Sequence, residues 1–155
     1  MLTFDVIYSQ FLTSVPEAGE SLAHLTDSEL KKELYNLAVP AIANFKFPQV
    51  DLNYIDQVDV DGLVNNATFE NNVTQKEINV ILALMRVEWM QSVINRESRF
   101  EQYYFDANMR THSQGAMLTQ MNRRMEMLHK EARAAIFNYS RSRPDGSVNT
   151  DRVKW

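Results

Sequence analysis

TQKEINVILALMRVEWMQSVINR, residues 74–96, is the stretch that decides the fold. Thr74 followed three residues later by Glu77 forms a capping-box pattern, in which the hydroxyl bonds the third helical amide and the carboxylate reaches back. Ile78, Ile81, Leu82, Met85, Trp89, Val93 and Ile94 then recur at helical spacing, and Glu88 and Arg96 fall away from that stripe. The spacing predicts a helix from Gln75 to Arg96, about 33 Å long at about 1.5 Å per residue.

A second long pattern lies downstream, from Ser113 to Arg143, with the stripe Met117, Met121, Met125, Leu128, Ala132, Ala135, Ile136 and Tyr139. Methionines at four-residue spacing fill a core or a forgiving interface, because the unbranched thioether packs adaptably. Phe100 to Asp106, polar and aromatic without a clean period, separates the two helices. Upstream, Phe4, Ile7, Tyr8, Phe11 and Leu12 give a short helix that ends before Pro16. Val15 to Leu25 reads as a loop. Thr26-Asp27-Ser28-Glu29 is another capping box, opening a helix whose apolar side runs from Leu30 to Phe45 and which Pro40 should kink or end early.

Between these helices the period changes from 3.6 to two. Val50, Leu52 and Tyr54, then Val58 and Val60, alternate with polar residues, Asp61-Gly62 is a turn signal, and a second run extends from Leu63 to Phe69. The segment, residues 49–73, reads as a short β-hairpin or extended arm, with a flexible loop as the alternative because its return is rich in asparagine. Two strands alone are marginal in water, so the arm must lie on the helices or borrow strands from a neighbouring subunit. Past Arg143, Pro144-Asp145-Gly146-Ser147 is turn chemistry. The chain therefore divides into a mainly α domain over residues 1–143, a helical bundle with two long helices and the arm, and an extended C-terminal tail over residues 144–155.

Composition sets limits. A length of 155 residues suits one domain with its own core, and four glycines and four prolines leave little room for linkers. The absence of cysteine removes disulfides, thiolate chemistry and Cys-ligated zinc. No run approaches the roughly 20 apolar residues of a membrane span, so no membrane association is expected. The net charge of −4 conceals an asymmetry. Up to Met85 there are four Lys/Arg against twelve Asp/Glu, and from Arg86 onward twelve against eight. Such halves either neutralise each other within one monomer or steer the acidic face of one subunit onto the basic face of the next.

No set of residues that could run a reaction accompanies these patterns. Glu126 and His129 have the three-residue spacing of a di-iron bundle, but such a site needs a second pair and two further glutamates. Asp59-Val60-Asp61-Gly62 resembles the middle of a calcium loop, yet that alignment puts Gln57 first and Thr68 twelfth, where a bidentate glutamate is required. His112 and Ser113 lack an elbow, a glycine-rich oxyanion loop and an orienting acid. The expectation is a protein that is not an enzyme and has no catalytic residue, no metal and no cofactor. Arg96, Arg99 and Arg110 interleave with Tyr103, Tyr104 and Phe105 as in single-strand binders, but Glu97, Glu101 and Asp106 sit beside them.

One resemblance organises these features. The order of short helix, capped helix, arm, two long helices and loose tail is similar to that of the head-tail connector (adaptor, or neck) proteins of tailed bacteriophages. The stretch Leu82-Ala83-Leu84-Met85-Arg86-Val87-Glu88-Trp89-Met90, then Phe105-Asp106, His112-Ser113-Gln114 and Phe137-Asn138-Tyr139-Ser140-Arg141, resembles small virion proteins of that kind. The likeness covers about Leu30 to Arg143 and departs from the smallest connectors in the arm. It implies a homo-oligomeric, dodecameric ring in the virion neck, contacts with the portal protein and with the tail or a second connector protein, and non-specific contact with DNA in the channel. The expected interaction anchors are isolated apolar side chains in polar surroundings: Val50, Leu52, Tyr54, Val58 and Val60 in the arm, and Val148, Val153 and Trp155 in the tail. The rival readings are an oligomeric nucleic-acid-binding regulator using Arg96 to Arg110 and a metal-dependent bundle enzyme built on Glu126 and His129.

Overall fold

The computed structural model describes residues 1–60, 62–104 and 112–142, with 98–104 and 112–115 as backbone alone. The chain is mainly α with one small antiparallel hairpin. Helix α1 spans Phe4–Ser14, α2 Pro16–Leu22 and α3 Asp27–Asn44. Strands β1 (Tyr54–Val58) and β2 (Val64–Phe69) follow, then α4 (Gln75–Tyr104) and α5 (His112–Arg141).

Helix α4 is the axis of the molecule. Ile78, Ile81, Leu82, Met85 and Trp89 are buried as the stripe requires, but so are Val80, Val87 and Met90 outside it. A helix apolar on several sides is enclosed on several sides, and α4 packs against α1, α3 and α5. Phe4, Ile7 and Phe11 from α1, Leu34, Ala38 and Ala41 from α3, and Ala67 and Phe69 from β2 complete the core.

The N-terminal half departs from expectation in one place. Val15 to Leu25 is not all loop, since α2 begins with Pro16 at its first position and buries Ala18 and Leu22. Proline costs nothing there, because the first-turn amides have no helical partner and its fixed φ suits the helix. Of the two outcomes expected at Pro40, a kink or an early end, the early end does not occur, and α3 continues to Asn44. The lost backbone donor is offset by burial of Ala38, Ala41 and Ile42 around it.

The long helices also differ at their junction. Helix α4 runs eight residues beyond Arg96, into the aromatic stretch assigned to a break, while α5 begins at His112 and ends at Arg141. The α5 stripe faces inward as expected, with Met125, Ala132 and Tyr139 buried and Met121, Leu128, Ala135 and Ile136 half-buried, but Met117 is exposed.

Tyr139 locks the end of α5 to two other parts of the chain. Its hydroxyl donates to Glu77 Oε1 at 2.8 Å and accepts the Gln49 amide at 2.7 Å. Gln49 Nε2 in turn donates to the Ser142 carbonyl at 2.7 Å, and the ring meets Phe45 edge-on at 5.1 Å. Glu77 Oε2 meanwhile accepts the Thr74 amide at 2.9 Å and the Thr74 hydroxyl. Burial works against the Glu77 carboxylate, but the Thr74 and Tyr139 hydrogen bonds outweigh it and hold its pKa below the usual range. The Tyr139 phenol is pushed up to about 12 by burial and by the adjacent carboxylate.

Candidate interaction surface

The arm is a hairpin, and it lies on the chain's own helices. Tyr54 pairs with Phe69, Ile55 with Thr68, Asp56 with Ala67, Gln57 with Asn66 and Val58 with Val64. The count slips by one between Gln57 and Val58, so Asn65 is the extra residue of a β-bulge. Asn65, Ala67 and Phe69 alternate inward onto α1 and α3. Phe4 collects the aromatic side of this contact, with ring centroids at 5.0 Å from Phe69 and 5.2 Å from Tyr54.

Polar bonds fix the outer end. The carbonyl of the bulged Asn65 accepts the Tyr8 hydroxyl at 3.2 Å, and its side-chain amide donates to Asp59 Oδ2 at 3.0 Å. The same Asp59 oxygen accepts Ser28 Oγ at 2.8 Å, which ties the turn to the start of α3. The Ser28 bond, then the Val60 amide and Asn65, hold the Asp59 carboxyl below its ordinary pKa. Gly62 closes the turn at φ 75°, in the left-handed region that glycine enters without a steric penalty, and its amide donates to the Asp59 carbonyl. Asp59 is thus saturated with donors as a turn anchor, and Asp61 lies outside the described residues.

On this frame the five arm anchors separate. Leu52 is buried, Val50 and Tyr54 are half-buried, and Tyr54 packs on Phe4 and Phe69, so these three serve the chain's own core. The strand begins only at Tyr54, later than the alternation from Val50 suggests. Val58 and Val60 do reach solvent, 63% and 96% exposed. Two neighbours that the reading for anchors missed join them, Ile55 at 61% and Leu63. Leu63 flanks the turn, whereas Ile55, paired with Thr68 toward the open end of the hairpin, falls between the alternating positions from Val50. Among the described residues β1 pairs with β2 alone, whereas β2 is flanked on its other side by a Thr3–Thr68 bridge and the Phe69 amide bond to the Leu2 carbonyl at 3.0 Å. The outer edge of β1 therefore offers unpaired backbone groups beside exposed apolar side chains. Val148, Val153 and Trp155 lie outside the described residues, as do the side chains of Arg99, Tyr103, Tyr104, Phe105 and Arg110.

Phe47 is a further surface ring that the sequence did not distinguish. It follows α3 at φ 60° with its side chain largely in solvent, a backbone region that costs an ordinary residue about 1–2 kcal/mol.

Glu126 and His129 are both exposed on α5, and among the described residues no group of three His, Asp or Glu could hold a metal ion. A cleft of about 270 Å³ lies between Glu17, Arg86, Trp89, Arg124 and Glu131. There Arg124 pairs with Glu17 at 3.2 Å, while Arg86 Nε and Trp89 Nε1 are buried without a hydrogen bond from the described protein. The Ser14 hydroxyl at its rim donates to the Phe11 carbonyl, so no base activates it. No described helix is long and apolar enough to cross a membrane. What the geometry defines is a helical body that carries an edge strand with an apolar tip. The chain matches no protein-family model, no curated protein and no solved structure.

Proposed function

We propose that this chain is a structural protein of a tailed-bacteriophage virion, a subunit of the ring-shaped head-tail connector that joins the portal to the tail and extends the DNA channel. The observation that carries the reading is the apolar hairpin end, Val58, Val60 and Leu63, with Ile55 exposed farther along the open edge of β1. Exposed apolar clusters of this kind mark contact surfaces, and an open edge is a template for another chain. The helical order from α3 through α5 supports the reading in the same direction as the sequence resemblance. Within it the partners are further copies of the chain, the portal protein, and the tail or a second connector protein. DNA in the channel is touched without sequence preference.

Negative-stain imaging of the concentrated full chain, alone and with a portal, tests this reading. Closed rings that stack on the portal are the expected result. Monomers in both samples would overturn it.

A further inference from the structure

Helix α5 carries two stripes. The inward one, Met121, Met125, Leu128, Ala132, Ala135 and Tyr139, advances by four and three residues alternately. A second stripe with the same steps starts two residues later: Arg123, Met127, Lys130, Ala134, Phe137 and Arg141. Two residues turn a helix by about 200°, so this stripe lies on the opposite side. Its first five members are exposed and Arg141 is half-buried.

The composition of that outer stripe is unusual for a solvated face. Met127 and Phe137 are 60% and 57% exposed, spaced among Arg123, Lys130 and Arg141, and the Arg141 guanidinium covers the Phe137 ring at 5.3 Å. Arg133 borders the stripe, with Glu126 and Glu131 beside it, yet none of Arg123, Lys130, Arg133 or Arg141 forms an ion pair among the described residues. Two large apolar side chains, Phe137 and the Met127 that also edges the Arg86–Trp89 cleft, framed by cations without an ion pair among the described residues, fit an acidic surface with apolar anchors of its own.

The same chain carries such a surface. From Asp51 to Glu70 there are five Asp/Glu and no Lys or Arg, and within that span stand the exposed Ile55, Val58, Val60 and Leu63. The dimensions agree as well: β1, five residues, is about 17 Å long at about 3.3 Å per residue, and Met127 to Phe137 spans about 15 Å.

We infer that the occupant of the outer α5 stripe is the acidic hairpin of a second copy of this chain. Val58 and Val60 of one copy seat among Met127 and Phe137 of the next, and Asp51, Asp56 and Glu70 face Lys130, Arg133 and Arg123. The two surfaces are different, so the contact is heterologous and propagates from copy to copy, closing into a ring where the rotation allows. The inference rests on the reading of the chain as a ring subunit and names the contact between subunits.

Sedimentation velocity on the full chain tests it with two variants whose altered side chains are exposed, Lys130→Glu/Arg133→Glu and Val58→Ser/Val60→Ser. Each should weaken self-association tenfold or more and sediment as a monomer where the unaltered chain is oligomeric. Mixed in equal amounts, they should form a one-to-one heterodimer and nothing larger, because only one intact hairpin and one intact stripe remain. That heterodimer also shows that both variants are folded. Oligomers that persist in both variants would overturn the inference and leave the connector reading standing. An unaltered chain that is monomeric at every concentration would also overturn it. So would a stripe variant that keeps its oligomers but loses retention on DNA-cellulose at low salt, since the stripe would then be a nucleic-acid surface. Variant-sensitive oligomers that ignore the portal would uphold the inference and sink the connector reading.

Discussion

Two helices of this chain begin with the same four-residue grammar, Thr-x-x-Glu, and the structure uses it in opposite ways. At α3, Glu29 accepts the Thr26 amide at 2.9 Å and Thr26 Oγ1 at 2.8 Å, and the motif stands in solvent. At α4, Glu77 reaches back to Thr74 in the same manner, but it is only 3% exposed and also holds the Tyr139 hydroxyl, 62 residues away in sequence. The first motif starts a helix. The second starts a helix and fastens α5 and the segment before the hairpin to it. Local spacing specifies a cap, whereas burial and a distant partner make a cap into a tertiary joint.

Removing the buried joint should have the largest effect. Glu77→Ala leaves the Thr74 amide without its acceptor and the buried Tyr139 hydroxyl without its own. The expected loss is about 2–4 kcal/mol, read by chemical denaturation with both long helices followed by circular dichroism. The pH dependence sharpens the comparison. Because the folded pKa of Glu77 is lowered, its contribution is fully present above the unfolded value near 4.3. It is lost as pH falls through the folded value. Glu77→Gln should flatten that part of the acid unfolding curve, and an unchanged curve would show that the carboxylate is not the group being titrated.

Tyr139→Phe comes next, at about 1–2 kcal/mol. It keeps the ring against Phe45 and removes only the hydroxyl between Gln49 and Glu77. Loss of that donor should raise the Glu77 pKa, so acid unfolding should begin at a higher pH than in the unaltered chain. On the alkaline side the sign reverses. Tyr139 titrates at about 12 in the folded chain, above the ordinary phenol near 10. Stability from its neutral form is complete below 10 and is lost as pH rises from there to 12. Ultraviolet titration of tyrosinate should show one late-titrating phenol fewer in the variant.

The exposed cap ranks third. Thr26→Ala should cost about 1 kcal/mol, measured in the same denaturation series, and should leave the acid limb governed by Glu77 in place. A loss equal to that of Glu77→Ala would break the contrast between the two motifs.

The same contrast explains what could be read from the sequence. Both capping patterns, the α1 spacing, the turn glycine Gly62 and the inward α5 stripe depend on neighbours within a few residues, and they were legible. Helix α2 was not, because proline in a first turn looks like a breaker until its position in the helix is known. The last two turns of α4 were hidden by an aromatic run with no period. Tyr139 was legible as a stripe residue, but its bonds to Glu77 and Gln49 depend on how three elements meet. For the surface, alternation from Val50 to Val60 could not separate Leu52 and Tyr54, which the chain covers itself, from Val58 and Val60, which it does not. That division depends on which side chains of the hairpin meet Phe4 and Phe69 in the core, a matter of tertiary packing.

The smallest expected effect on folding is therefore the one with most bearing on function. Val60 is 96% exposed, and its side chain touches little that unfolding would release, so Val60→Ser should change stability by less than about 0.5 kcal/mol. Serine at that position still lets the Val60 amide donate to Asp59 Oδ1, as it does now at 2.6 Å, so the turn keeps its anchor. On the proposed subunit contact, this exposed apolar side chain on a turn of acidic residues is covered by a second copy. Val60→Ser should accordingly leave the denaturation midpoint where it is and weaken self-association in a sedimentation series. A clear fall in the midpoint with unchanged association would assign Val60 to the hairpin's own stability and remove the tip from the interface.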